Sequence, residues 1–303
     1  MPATPAHPFL QLDRIAVCGL GLIGGSMVQA LHAAGYRGKV TGYDIRANTV
    51  QAALEGGWIH QACSRTEDLF ADHDLVLLCQ PVSALLGLLT SHLDAIDQGR
   101  AVVMDVASVK LPVLQALGGE RAAACFVPCH PIAGRAEAGW AAARADLFQG
   151  RACIMTPTAG TDPKAVALAS DFWALLGARV ALMPADEHDR AYAAMSHLPQ
   201  VLSYAYLHGL AGRPAAGEWL QYRGTGFQGF SRLGSSDASL WADIAVHNAD
   251  PLIEEIDSVQ DSLALFRDLL VRRRTGELTQ EFAMARDFHA RTLPGAPETG
   301  DHR

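Results

Sequence analysis

No stretch of the 303-residue sequence approaches the roughly 18 consecutive apolar residues that a membrane-spanning helix needs. The nearest, 191–212, has no Asp, Glu, Lys or Arg, but Ser196, His197, Pro199, Gln200, Ser203 and His208 interrupt it. It is expected to be a helix buried in protein. Residues 1–10 hold three prolines and no basic segment leading into an apolar one. They do not read as a signal peptide, so a cytoplasmic protein is expected. The six cysteines (Cys18, Cys63, Cys79, Cys125, Cys129 and Cys153) form no CxxC pair and no zinc-like spacing. Reduced thiols and no metal are expected. Positive charge is in deficit: 24 basic side chains against 32 acidic ones leave a formal net charge of −8. That argues against nucleic acid and anionic membrane as partners. An anionic ligand would have to be attracted locally.

The rest of the composition is that of a folded protein. Half the residues are hydrophobic and only 18% are charged, enough apolar matter for a core. The length is that of about two domains. Short β-rich runs alternate with helical patterns through the first 184 residues. The runs are RIAVC (14–18), KVTGYD (39–44), DLVLLC (74–79), AVVMD (101–105), ACFVP (124–128), RACIMT (151–156) and GARVALM (177–183). This alternation predicts a doubly wound, mainly parallel sheet.

After Pro184 the strand signals stop and helical stretches take over. In 250–274, Leu252, Ile256, Val259, Leu263, Phe266 and Leu270 recur at alternating spacings of four and three. They form one apolar seam. Asp250 is the expected N-cap, with Pro251 first in the helix. Two helices this apolar in a small domain predict a homodimer. Arg272, Arg273 and Arg274 read as a solvated helix end favoured by the dipole. Residues 294–303 read as a disordered tail.

Gly19-Leu20-Gly21-Leu22-Ile23-Gly24 is a G-x-G-x-x-G turn between the first expected strand and a helix. In that setting it predicts a dinucleotide site, with the pyrophosphate on the helix N-terminus. Asp44 ends the second strand, 20 residues beyond Gly24. A carboxylate there binds ribose hydroxyls and repels a 2′-phosphate, which favours NAD; Arg46 leaves NADP open. The expected fold is therefore α/β. A Rossmann-type NAD-binding domain covers 12–184, and an all-helical substrate and dimerisation domain covers 185–293.

Four more segments place polar residues where strands should end, the ligand-binding edge of such sheets. They are Cys79-Gln80-Pro81-Val82, Asp105-Val-Ala-Ser108-Val-Lys110, His130-Pro-Ile-Ala-Gly134 and, within the uncharged helix, Ser196-His197-Leu-Pro199-Gln200. Pro199 should kink that helix. Cys129 beside His130 is a poor nucleophile candidate, because neighbours on a strand face opposite ways.

In this order, GLGLIGGS, DVASVK, HPIAG and SHLPQ resemble the prephenate/arogenate dehydrogenase family of tyrosine biosynthesis. The resemblance continues through DLFQGR (146–151) and GFQGFSRLGSSDASLW (226–241), and covers about 12–290. It implies an NAD-dependent oxidative decarboxylation of a small dianionic substrate, a 4-hydroxycyclohexadiene bearing a ring carboxylate. By resemblance, His130 is the catalytic histidine, Ser108 orients it, and Arg232 binds a carboxylate. His197, Gln200 and Trp241 line the substrate pocket, while Gln80 and Pro81 join the glycine loop in holding the cofactor. The resemblance assigns no role to Lys110. With no mutase-like segment before it and no regulatory one after, the chain is expected to be the monofunctional form. It departs from the family at Gln200 (often histidine), Ala136 (often an acid) and Gln228 (often arginine). These departures bear on substrate choice and tyrosine inhibition.

Two other readings compete. A β-hydroxyacid-type dehydrogenase would want a lysine in the helical part, and none follows Lys164. A nucleotide sensor without turnover would not need His130, Ser108 and Arg232 together.

Overall fold

The computed structural model describes residues 8–118, 120–135 and 137–292. The expected disordered tail, most of the proline-rich N-terminus and Ala136 lie outside the described residues. The chain forms two compact units, one ending at Leu252 and the other starting at Ile253.

The first unit opens with β1 (Arg14–Cys18), α1 (Leu22–Ala33), β2 (Lys39–Tyr43), α2 (Ala47–Glu55), β3 (Gln61–Ala62), β4 (Leu75–Leu78) and α3 (Val82–Gln98). It continues through β5 (Val102–Asp105), α4 (Leu111–Ala116), α5 (Glu120–Cys125) and β6 (Phe126–Val127). The six strands form one sheet in the order β3-β2-β1-β4-β5-β6, every neighbouring pair parallel. This is the doubly wound dinucleotide order, whose ligand crevice opens where the order reverses, beyond β1 and β4. Central strands of such a sheet are covered on both faces, so they are apolar throughout. Ile15 and Val17 join the core layer that contains Met27, Val28 and Leu31 of α1. Ala16 and Cys18 point the other way, into the layer with Leu85 and Leu89 of α3. Each fully buried Val, Leu or Ile contributes about 1.5–3 kcal/mol.

The run 124–128 does not form one strand. Helix α5 persists through Cys125, β6 has two residues, and Pro128, which has no N–H to give a ladder, separates β6 from β7 (Cys129–Pro131). Strand β7 belongs to a second sheet with β8 (Ala152–Met155) and, after α6 (Pro163–Leu175), β9 (Arg179–Leu182). Strands β7 and β8 are antiparallel with His130 opposite Ile154, and β8 and β9 are parallel. Helix α6 begins at Asp162, whose side chain accepts from Lys164 N at 2.8 Å, with Pro163 in the first turn. Its buried Phe172 and Trp173 meet Phe9 and Phe148.

Helices follow: α7 (Ala185–Tyr192), a π-helical turn (Ala193–His197), α8 (Leu198–Ala211), α9 (Ala216–Leu220), α10 (Thr225–Ser231), a 3-10 turn (Arg232–Ser235) and α11 (Ala238–His247). The chain texture changes at Pro184, yet all of these belong to the first compact unit. The helix runs without a break through the π turn into α8, and Pro199 follows that wider turn, where the i→i−4 ladder is already interrupted. The segment 191–212 is also less buried than expected. Along α8 only Leu198, Gln200 and Ser203 are buried, and Tyr206 is half exposed.

Helix α12 (Ala249–Val271) crosses from the first unit into the second, which also contains α13 (Thr275–Thr292). Asp250 lies inside α12 rather than capping it; Leu252 N bonds back to Asn248 O, so Asn248 is the entry residue. Within the second unit, Phe266 and Phe282 meet edge to face at 5.5 Å. Leu263, Leu270, Phe282, Met284 and Phe288 stay more than half exposed. Arg272 and Arg274 are exposed and pair with Asp268 and Glu277.

Candidate active site

The glycine turn joins β1 to α1. Gly19 has φ +95°, and a Cβ on it would come within 2.8 Å of Cys79 O at the end of β4. Gly24 is equally constrained: a Cβ there would overlap Gly19 O. Around Gly21 there is open space, and no side chain caps α1. The first-turn N–H groups therefore face a clear approach, which fits a pyrophosphate. Leu20, Leu22 and Ile23 complete the turn, and Leu20 N donates to Asp44 Oδ2 at 2.9 Å. Asp44 Oδ1 accepts from Arg46 N at 2.9 Å and from its Nε at 3.3 Å. Asp44 thus shapes the loop and carries its own counter-ion, leaving lone pairs for hydroxyl donors. Gln80 Nε2 donates to Cys18 Sγ, while its Oε1 is buried with no partner; Pro81 opens α3.

His130 lies inside β7, not in a loop after a strand of the main sheet. Its Nδ1 is 2.9 Å from His188 Nε2, and His188 Nδ1 is 2.7 Å from Asp189 Oδ1. Tyr192 packs its ring against both imidazoles, at 4.7 and 4.5 Å. Burial is the main cause that holds His130 well below its ordinary pKa, with His188, Lys110 and His197 adding to it. Ser108, in the turn after β5, is half-buried. Among the described residues it makes no hydrogen bond to His130, and the Nδ1 position expected of an orienting group is taken by His188. Cys129 Sγ turns back to Val127 O at 3.3 Å, away from any role as nucleophile.

Lys110 acquires a role. It is fully buried, with Nζ 2.5 Å from Asp105 Oδ2 and 2.6 Å from Cys129 O. Asp105 also accepts from Ala107 N and Cys129 N. This pair ties the entry of β7, and so His130, to the end of β5. Asp189 accepts from Lys110 N and Leu111 N, both at 2.8 Å, capping α4 from α7.

His197, Gln200 and Trp241 line one cavity of about 190 Å³ with Tyr204, Ala238 and Ala242. Asn248 Nδ2 reaches both Asp189 O and His197 Nδ1 at 2.9 Å. An amide nitrogen only donates, so His197 Nδ1 accepts and its proton resides on Nε2. That Nε2 is buried with no partner. Burial holds the His197 pKa down to about 4, so the ring is neutral and a hydrogen-bond donor. Gln200 Nε2 donates to Leu233 O at 2.5 Å, and Ser203 bridges Phe230 O and Gly234 N. These bonds hold the turn bearing Arg232. Arg232 is exposed and is not on the cavity wall, and among the described residues no carboxylate pairs with it. Gln228 is exposed on α10.

The sequence reading passed over His188, Asp189 and Tyr192. They lie in ADEHDRAY, which reads as a solvated, charged first turn. The available signal was the four-residue spacing of His188 and Tyr192, which puts both on one helical face.

Residues 27–182 match the nucleotide-binding domain of prephenate dehydrogenase, and residues 184–284 match its dimerization domain. The cyclohexadienyl dehydrogenase of Zymomonas mobilis subsp. mobilis is 31% identical over 271 residues, spanning 89% of this chain and 92% of that protein. The crystal structure of prephenate dehydrogenase from A. aeolicus in complex with hydroxyphenyl propionate and NAD+ superimposes with a TM-score of 0.82 at 28% identity, covering 92% of this chain and 98% of that one. Synechocystis arogenate dehydrogenase gives 0.75 at 27% identity, covering 92% and 99%.

Proposed function

The chain belongs to the prephenate dehydrogenase family, and from that premise we propose that it oxidatively decarboxylates prephenate, L-arogenate or both, with NAD as acceptor. The observation that carries the proposal is the buried, neutral His197 Nε2, which is unpartnered in a cavity shared with Gln200 and Trp241. A buried N–H without an acceptor costs about 1–3 kcal/mol. A ligand offering an acceptor, such as a ring carboxylate, removes that cost.

The nicotinamide, when bound on the glycine loop, supplies the hydride acceptor. The protein does the rest. His130 takes the proton of the ring hydroxyl as C4 is oxidised. The carbon–carboxylate bond then breaks, its electron pair enters the ring, and His130 returns the proton to the oxygen of the new phenol. Arg232, charged at any working pH, binds a substrate carboxylate. Asp44 favours NAD through its ribose hydroxyls. Residues 12–184 and 185–293 divide these tasks as cofactor domain and substrate domain. The exposed apolar seams of α12 and α13 are the surfaces of a homodimer, and the protein works in the cytoplasm.

The test is NADH formation, followed by absorbance, with prephenate and L-arogenate supplied separately. Reduction with one or both is expected. No reduction with either overturns the proposal.

A further inference from the structure

The base assigned to His130 has a physical difficulty. Its ring is enclosed, and Lys110 stands on the side of the β5 turn as a buried cation. His197 on the π turn adds to the pressure against protonation. Cys153 on β8 gives no help, since burial pushes its thiol far up and keeps it neutral. Tyr192 is held neutral in the same way. Asp105 is engaged by Lys110, Ala107 N and Cys129 N. Among the described residues, the remaining charged group that reaches His130 is Asp189, and it does so through His188.

The hydrogen bonds fix the direction of that chain. The Asp189 carboxylate accepts two backbone N–H groups, from Lys110 and Leu111. A carboxylate so held is an acceptor only, so His188 Nδ1 donates to it. The neutral His188 ring then has a bare Nε2, which must accept. The group 2.9 Å away is His130 Nδ1, so Nδ1 carries the His130 proton and its Nε2 is left bare. The two imidazoles are thus set, one through the other, by a single carboxylate.

We infer that His188 and Asp189 are positioning residues for His130, holding its ring with Nε2 free to accept and drawing off the charge that forms when it does. When the substrate hydroxyl gives its proton to His130 Nε2, the Nδ1 proton can pass to His188 Nε2. The imidazolium then lies on His188, beside the carboxylate and one ring farther from the substrate. Return of the proton after carbon dioxide leaves reverses both transfers, so no co-reactant is consumed. This step rests on the reading of His130 as the base.

The test has two arms. In the first, protein carrying isotope-labelled histidine is observed without substrate or dinucleotide by long-range proton–nitrogen correlation. This reports which ring nitrogen is protonated, with His130 assigned by loss of its signals in His130→Asn. Wild-type His130 is expected to be protonated on Nδ1. His188→Phe, which keeps the ring volume, and Asp189→Asn are each expected to shift His130 toward protonation on Nε2. Wild-type protonation on Nε2, or an unchanged tautomer in both variants, overturns the inference. In the second arm, Asp189→Asn and His188→Phe are expected to lower kcat roughly tenfold to a thousandfold with KM little changed. In Asp189→Asn the acid limb of kcat/KM moves to lower pH, because the carboxylate that favours the charged form is gone. A folded Asp189→Asn with an unmoved acid limb overturns the inference and leaves only the capping of α4. If wild type reduces NAD with neither substrate, the proposed function falls, while the tautomer arm still decides the geometry.

Discussion

Lys110 Nζ lies 2.5 Å from Asp105 Oδ2 with neither side chain exposed. The pair spans only five residues, yet it anchors the strand that carries His130, through Cys129 N and O. A buried pair is costly to form, and breaking it by removing one partner costs more. Lys110→Met leaves Asp105 charged and short of a partner in the core. The expected destabilisation is about 3–5 kcal/mol, read as a lower urea midpoint. Replacing both partners with apolar residues is expected to cost less than the two single changes summed. An unshifted midpoint in Lys110→Met contradicts the clamp.

His130→Asn and Arg232→Gln should separate by kinetic parameter. Loss of the base lowers kcat roughly a hundredfold or more. Under the proposed role of Arg232, loss of the cation chiefly raises KM, since a carboxylate contact is made in both ground and transition state. A His130→Asn enzyme with most of its turnover refutes the assignment of the base.

Stability should fall on mild acidification. His197 is held at about 4 in the folded chain against an ordinary 6.5. Between those values the unfolded chain binds a proton that the folded chain excludes. Its contribution is therefore complete above 6.5 and is lost as pH falls toward 4, by a few kcal/mol. His130 and His188, also lowered by burial, act in the same direction. Urea midpoints taken across that range should decline, and His197→Gln should flatten the decline.

Asp44→Ser removes the carboxylate that accepts from Leu20 N and that is proposed to meet the ribose hydroxyls. The KM for NAD should rise roughly tenfold, about the 1.4 kcal/mol of one charge-assisted hydrogen bond. With Arg46 released from its partner, NADP should gain relative to NAD. An unchanged ratio of the two kcat/KM values removes Asp44 from cofactor choice.

The dimer can be tested by sedimentation equilibrium at micromolar concentration. Wild type should sediment as two chains. Leu270→Glu, on the exposed seam of α12, should shift it toward one chain. A monomeric wild type contradicts the dimer.

The sheet was legible because its central strands are largely apolar on both faces, and β1, β2 and β5 run into Gly19, Asp44 and Asp105. Lys39–Tyr43, Leu75–Leu78 and Val102–Asp105 lie inside the runs read from the sequence. The glycine turn was legible for a steric reason, since Gly19 and Gly24 sit where a Cβ would strike backbone. The connection from α5 to β7 was not. ACFVP has strand-like residues, but Cys125 stays in α5 and Pro128 divides β6 from β7, which belong to two sheets. Lys110 was unreadable because lysine is among the residues least often fully buried. His188 and Asp189 were hidden by charged neighbours, and their meaning depends on β7 and α4, which are distant in the sequence.

Asn248 joins the capping residue Asp189 to His197, and that bridge gives the site a sense of direction. The proton of His197 is fixed on its buried Nε2, while His130 offers a lone pair at the same ring position. The two imidazoles are thus opposite in hydrogen-bond character, one ring offering a donor and the other an acceptor. Under the proposed function, a substrate that bridged the two rings in reverse would present its carboxylate to a lone pair, so hydrogen-bond polarity disfavours the wrong orientation.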